Sequence, residues 1–422
     1  MRFSDRWKDA VLLAAGILIG LAFLNAYGTE DRGRWIIYID LARKHGLFGT
    51  YPFAVFNNIA GGSTDYPPLS IMFLAGLSRV ADHFRLTDFT TLKLSLIPFT
   101  LACAYVVAAW HEGRQGRLFG VAMFALLTLN ALLLAYIDVY FLMFFLIALY
   151  CLERGWFGTA ALMFVISVLV KWQPIILLPF VILYLWPRCT FRGLVRFAPA
   201  ILLLFAALAG YGSAMAHAFI SGMQEPTLSG RALNFNWLVT ARAELHWPGY
   251  ALPDGEHVKT MNLALMQRHF LPDRLRYYLI ALDLSSALRY VCYGVAFLYF
   301  LLSKREFTDF LRASTIAFFA YCTFGMAVHE SHSLLPAVLA LCWFAVDRTR
   351  WLEAIVLAGI FNLNLLIFYG IDGDGPGFST IVFNHDVTIW LAAFDVAFFA
   401  IMWLPMALET VRSLRSATTR AA

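Results

Sequence analysis

The 422-residue sequence predicts an all-α, polytopic membrane protein, and two observations carry that prediction. The first is composition: 61% of residues are hydrophobic and 14% charged, with a mean hydropathy of +0.70. Ordinary soluble domains carry about 25% charged residues. One soluble core cannot hide such an apolar excess, so lipid must solvate most of it. The second is recurrence: apolar stretches near the length of a bilayer-crossing helix, about 17–25 residues, follow one another from end to end. Residues 1–422 therefore read as a single membrane domain.

Candidate spans are 11–27, 89–110, 118–135, 139–152, 157–171, 174–186, 197–215, 278–302, 313–328, 333–346, 353–369 and 388–405. The N-terminal MRFSDRWKD and its apolar run lack a small-residue cleavage site before Gly28, so they read as a retained first helix. Short loops rich in Lys and Arg face the cytoplasm. Arg2, Arg6 and Lys8 mark one such segment, Arg114 with Arg117 a second, and Arg188, Arg192 and Arg196 a third. Lys304 with Arg305, Arg348 with Arg350, and the tail with Arg412, Arg415 and Arg420 complete the set. Twelve spans with both termini inside satisfy all of them. Residues 67–84 open on two prolines and close on Arg79, Asp82 and His83, which leaves too short an apolar core to cross. They read as an outer re-entrant or interfacial helix.

Two large outer loops follow, 28–88 and 216–277, dividing the chain into an N-terminal module (1–215), the second loop and C-terminal helices (278–422). The net charge of +5 is modest, and its basic residues set orientation, so no nucleic-acid partner is implied. Six scattered cysteines suggest neither a zinc site nor a disulfide framework.

Every unusual polar cluster falls on the predicted outer side. Asp31 stands just beyond the first span, placed either as a general base near the membrane surface or as a solvated loop acid. Glu30 and Asp40 share its loop. Trp35, Ile39 and Ala42 recur at helical spacing, so an amphipathic interfacial helix is expected there, with Asp40 one turn inside it. In Asp65-Tyr66-Pro67-Pro68 the prolines favour a helix start, and Asp65 is expected to cap it. Asp138 lies between two apolar runs, either as an intramembrane functional acid or as part of a turn. Lys171 interrupts the apolar run 157–186, to meet an anionic phosphate or to snorkel to headgroups.

The densest cluster is His329-Glu330-Ser331-His332, where one span ends and the next begins. It is one residue short of the HExxH zinc helix and no third ligand is evident, so phosphate binding by an imidazole fits better than a metal. Arg231, Asn234 and Trp237 stand in the second outer loop. Arginine matches phosphate oxygens by a bidentate fork, and aromatic and amide groups suit a sugar ring.

Taken in order, Asp65-Tyr66-Pro67-Pro68-Leu69, Lys171-Trp172-Gln173, Asn234-Phe235-Asn236-Trp237 and Val328-His329-Glu330 resemble the GT-C glycosyltransferases. The resemblance is to the dolichyl-phosphate-glucose-dependent glucosyltransferases of N-glycan assembly in particular, over roughly residues 10–345. It implies an inverting transfer of a hexose from a polyprenyl-phosphate donor to an acceptor hydroxyl on the outer face. Asp31 corresponds to the family's base. Lys171, Arg231 and His329 correspond to its donor-phosphate positions, and Glu330, His332, Asn234 and Asp138 join the expected binding set. Ser331 follows Glu330 where the family often has lysine, and the Asp138 loop is more apolar than usual. The expected partners are the lipid-linked donor, a lipid-linked or glycan acceptor and membrane lipid, with no cofactor or metal. The expected location is a bacterial inner membrane with the site facing the periplasm. A lipid-linked glycan flippase or a polysaccharide ligase is the alternative.

Overall fold

The computed structural model describes residues 3–57, 59, 64–223, 229–246, 252–254, 258–260, 276–326, 328–373, 375, 379–383 and 385–421. Parts of the second outer loop (224–228, 247–251, 255–257 and 261–275) therefore lie outside the described residues. The chain is all-helical, 83% helix. Its α-helices, numbered along the chain, begin with α1 (Phe3–Ala22), α2 (Asp31–Phe56), α3 (Pro68–Phe84), α4 (Asp88–Ala108) and α5 (Gly113–Leu127). Next come α6 (Asp138–Glu153), α7 (Phe157–Val170), α8 (Leu178–Leu185), α9 (Ala198–Met223) and α10 (Phe235–His246). The last are α11 (Arg276–Leu302), α12 (Phe307–Phe324), α13 (Leu334–Val346), α14 (Trp351–Tyr369) and α15 (Val387–Ala421).

Each expected span falls on one of these helices. Among the described residues, six helical stretches are long and apolar enough to cross a membrane, as expected of an integral membrane protein. They are Asp88–Ala108, Gly113–Leu133, Gly193–Gly222, Asp283–Leu302, Arg348–Tyr369 and Val387–Ser416. Phe157–Val170, Gln173–Arg188 and Glu330–Val346 are apolar but shorter.

The chain forms two compact units. The first comprises Met1–Ile175, Cys189–Gln224 and Tyr369–Gly375; the second comprises Ile176–Arg188, Glu225–Phe368 and Pro376–Ala422. In the first unit, α2 has the amphipathic stripe that the sequence predicts: Trp35, Tyr38, Ile39 and Ala42 are buried while Arg34 and Lys44 stay exposed. Gly46 adopts φ 69°, ψ 174° and breaks the helical path there. Arg43 then ties α2 to its neighbours. It donates to both Asp88 carboxylate oxygens (2.8 and 2.6 Å) at the start of α4 and to Asp82 (3.0 Å) near the end of α3.

One expected cap is corrected. The N-cap residue of α3 is Pro67, in extended conformation and without a side-chain cap hydrogen bond, so Asp65 is not the N-cap residue. A side-chain cap must come from the residue flanking the first turn, and the two prolines move the start to Pro68, three residues past Asp65. Proline suits that place because its missing N–H would be unsatisfied there anyway.

The second unit is built on α11, α12 and α15, with Phe300, Phe310, Phe318 and Phe319 fully buried in its core. Glu306 and Asp309 form a reciprocal capping box at the start of α12. Arg312, one turn later, makes a bidentate pair with Glu409 of α15 at 2.8 and 2.9 Å.

Candidate functional site

The predicted site residues divide between the two units. In the first, the geometry begins with a break in helix α5. Its end widens into a π-helical turn over Thr128–Leu133, and Ala135 then adopts a left-handed conformation (φ 60°). Single π turns and non-glycine residues at positive φ recur at functional sites, because surrounding structure must hold them there. Three contacts hold this one. The Tyr136 N–H donates to the Asn130 carbonyl (3.0 Å), the buried Lys93 ammonium donates to the carbonyls of Leu132 and Leu133, and the Thr29 N–H donates to the Leu134 carbonyl (3.0 Å). Gly28 makes the last approach possible. It has φ 80°, and a Cβ there would lie 3.0 Å from Ala135 Cβ and 3.1 Å from the Leu134 carbonyl oxygen. The segment just before Asp31 is thereby fixed against the segment just before Asp138.

Asp138 begins α6 and is 1% exposed. It forms an ion pair with Lys171, which ends α7 in extended conformation and is 9% exposed. The Asn130 amide also donates to Asp138 (3.4 Å). The lysine expected from sequence to meet an anionic phosphate or to snorkel to headgroups has a carboxylate partner 33 residues away.

Asp31 is the first residue of α2 and half-buried; Glu30, its N-cap residue, and Asp40 are exposed. Asp40 lies 3.5 Å from Arg43 and 3.9 Å from Lys44. Tyr66 stands edge-on to Trp35 with ring centroids 5.1 Å apart. Burial pushes its phenol well above its ordinary pKa, and the charges of Asp65, Asp31 and Asp138 push it further in the same direction. Tyr66 therefore stays protonated and can donate to a carboxylate or a ligand oxygen. Burial likewise raises Tyr38, although its hydrogen bond with Thr64 (2.9 Å) pulls the other way. The Trp172 indole donates to the Asp65 carbonyl (2.8 Å), fixing the segment that presents Tyr66.

Five buried polar atoms along this framework lack a hydrogen-bond partner among the described residues: Thr29 Oγ1, Trp35 Nε1, Asn130 Oδ1, Ser167 Oγ and Gln173 Nε2. Buried polar atoms are normally satisfied, so a concentration of exceptions calls for water or a ligand.

In the second unit, Ser229–Gly230 pairs in parallel with Val328–His329, and Arg231 makes a further bridge to His329. Arg231 is held in left-handed conformation (φ 62°) by Asn364 of α14, which donates to its carbonyl (3.2 Å) and accepts from the Leu233 N–H (2.9 Å). His329 and His332 have ring centroids 5.5 Å apart, and His332 stacks on Tyr321 at 6.0 Å. Glu330 and Ser331 are buried in the 3-10 turn between them. A guanidinium from one segment and two imidazoles from the segment bridged to it provide donors for an anion. Among the described residues, no group of three or more His, Cys, Asp or Glu side chains gathers as metal ligands do.

Asn234, expected to meet the donor, is 2% exposed, and its amide is used within the chain. It donates to the Cys322 carbonyl (2.9 Å) and accepts from the Trp237 N–H (3.1 Å). Asn236 donates to Gly325 (2.7 Å), and the Trp237 indole donates to Thr388 (3.0 Å). These residues position the Arg231 turn.

Gly230 leaves no room for substitution. A Cβ there would lie 2.5 Å from His329 Nδ1. Gly230→Ala is expected to push the imidazole out of place and weaken anion binding by about tenfold, the loss of about one charge-assisted hydrogen bond. Titration with an anionic ligand analogue, alongside unfolding temperature as a control, measures it; unchanged affinity would remove His329 from the binding set.

No protein-family model, curated protein or solved structure matches this chain.

Proposed function

We propose that the protein is an inverting glycosyltransferase, moving a hexose from a polyprenyl-phosphate donor to an acceptor hydroxyl on the outer membrane face, with a GT-C-like arrangement of about twelve spans. The observation that carries the reading is the partly unsatisfied polar framework of the first unit, with Asp31 and Tyr66 set among buried groups at the ends of apolar helices. In this reading Asp31 takes the acceptor proton as the hydroxyl attacks the anomeric carbon from the face opposite the phosphate. The C–O bond to phosphate breaks, and the leaving polyprenyl phosphate keeps the electron pair. Tyr66 donates a hydrogen bond, and the Asp138–Lys171 pair keeps the surrounding framework rigid. Within the second unit, Arg231, His329 and His332 are assigned to holding an anionic phosphate oxygen.

The test is direct. Purified protein in liposomes receives radiolabelled polyprenyl-phosphate glucose, mannose or arabinose together with candidate hydroxyl acceptors. Label should pass to an acceptor with inverted anomeric configuration. Movement of intact lipid-linked glycan between leaflets without bond breakage would favour the flippase alternative instead. For topology, cysteines at the exposed Lys44 and Arg85, which flank residues 67–84, should be labelled from the same side of the membrane. Labelling from opposite sides would mean that residues 67–84 cross, and the twelve-span count would fall.

A further inference from the structure

A groove of about 320 Å³ runs between α1 and α5 in the first unit, at the end that the charge pattern predicts to be cytoplasmic. Lys8 of α1 and Arg114 and Arg117 of α5 line it, with Trp7 beside them. Further along the helices its walls become apolar: Val11 and Leu12 on α1, Leu118 and Val121 on α5. The spacing explains the layering. Val11 and Leu12 are i+3 and i+4 from Lys8, and Leu118 and Val121 are i+4 and i+7 from Arg114, so each helix face carries cations first and hydrocarbon after.

Those walls are open to the surroundings, with Val11 52%, Leu118 58% and Val121 47% exposed. Asp9 lies 3.4 Å from Arg117. Arg114 has no ion pair among the described residues.

We propose that this groove binds one anionic phospholipid, its phosphate oxygens taken by Lys8, Arg114 and Arg117 and its acyl chains lying along Val11, Leu12, Leu118 and Val121. Guanidinium groups match phosphate oxygens, and basic pockets between membrane helices on the cytoplasmic side are where anionic headgroups bind. Trp7 supplies the aromatic anchor usual at that depth. A zwitterionic choline headgroup would bring its cation against three others. Free phosphate would leave the apolar walls uncovered. The inference does not depend on the glycosyltransferase reading.

The experiment uses the full chain in nanodiscs of phosphatidylcholine doped with phosphatidylglycerol, with retained lipid counted by native mass spectrometry. The wild type should keep phosphatidylglycerol in preference to phosphatidylcholine. Lys8→Ala with Arg114→Ala should reduce that preference by about 30-fold, the contribution of two surface cations. The conservative pair Lys8→Arg with Arg114→Lys should retain it, which separates charge from misfolding. Lys304→Ala with Arg348→Ala, also exposed and on the same predicted side, should leave it unchanged. Absence of preference in the wild type, or equal loss in the control pair, would overturn the proposal. So would displacement of the lipid by millimolar inorganic phosphate, which would make the ligand a free anion. Tighter retention of polyprenyl phosphate than of phosphatidylglycerol would also overturn it by naming a different occupant.

Discussion

Asp31→Asn is expected to lower hexosyl transfer by about 10²- to 10⁴-fold, the usual cost of removing a general base. Asparagine keeps the size of the side chain and most of its hydrogen bonds, so unfolding temperature and donor binding should stay close to wild type. The structure sharpens the choice among the three acids of this loop. Glu30 is exposed at the helix N-cap, and Asp40 is exposed beside Arg43 and Lys44. Asp31 alone of the three is half-buried, and its charge reaches the phenol of Tyr66. Glu30→Gln and Asp40→Asn should therefore keep near-normal turnover. Should Asp31→Asn remain active while one of the other two is dead, the base has been misassigned and the reaction class stands. If all three retain activity, Asp138 becomes the acid to examine.

The second large effect is structural. Asp138→Ala leaves the Lys171 ammonium buried without its partner, and breaking a buried ion pair from one side costs about 3–5 kcal/mol. A membrane protein of this size does not unfold in two states, so the readout is the loss of monodisperse protein in detergent at a fixed heating rate. Removing both charges, with Asp138→Asn and Lys171→Met, should recover most of the lost stability, since no buried charge is then left uncompensated. Wild-type thermal behaviour in Asp138→Ala would mean that the Lys171 amine has another anion to meet, and the pair would lose its framework role.

Much of this fold is legible in the sequence because one physical signal dominates it. Apolar runs of near-crossing length place all twelve expected segments on helices, and the spacing of Trp35, Ile39 and Ala42 identifies the buried stripe of α2. What failed or was missed depends on chain direction and distance. Asp65 has the right chemistry for a cap, but the two prolines set the helix start beyond its reach. No local pattern links Asp138 to Lys171. Asn234 looks like a sugar ligand because an amide suits one, yet its amide is already engaged by the Cys322 carbonyl and the Trp237 N–H. Asn364 was visible as an amide inside an apolar span, a costly residue that calls for a partner. Its partners, the backbone of Arg231 and Leu233, lie over 130 positions away.

The wide turn at Thr128–Leu133 means that residue count, as much as residue type, sets where Asp138 points. Each α-helical residue advances the chain by about 100° of rotation, and a π turn absorbs an additional residue without lengthening the axis in proportion. Losing any single residue between Thr128 and Leu133 would let α5 continue as a regular helix, its hydropathy almost unchanged. The carboxylate after it would then swing by about a quarter-turn, away from Lys171. A damaging change in this protein can therefore be a one-codon deletion within an apolar stretch, a kind of lesion that no scan of point substitutions would sample.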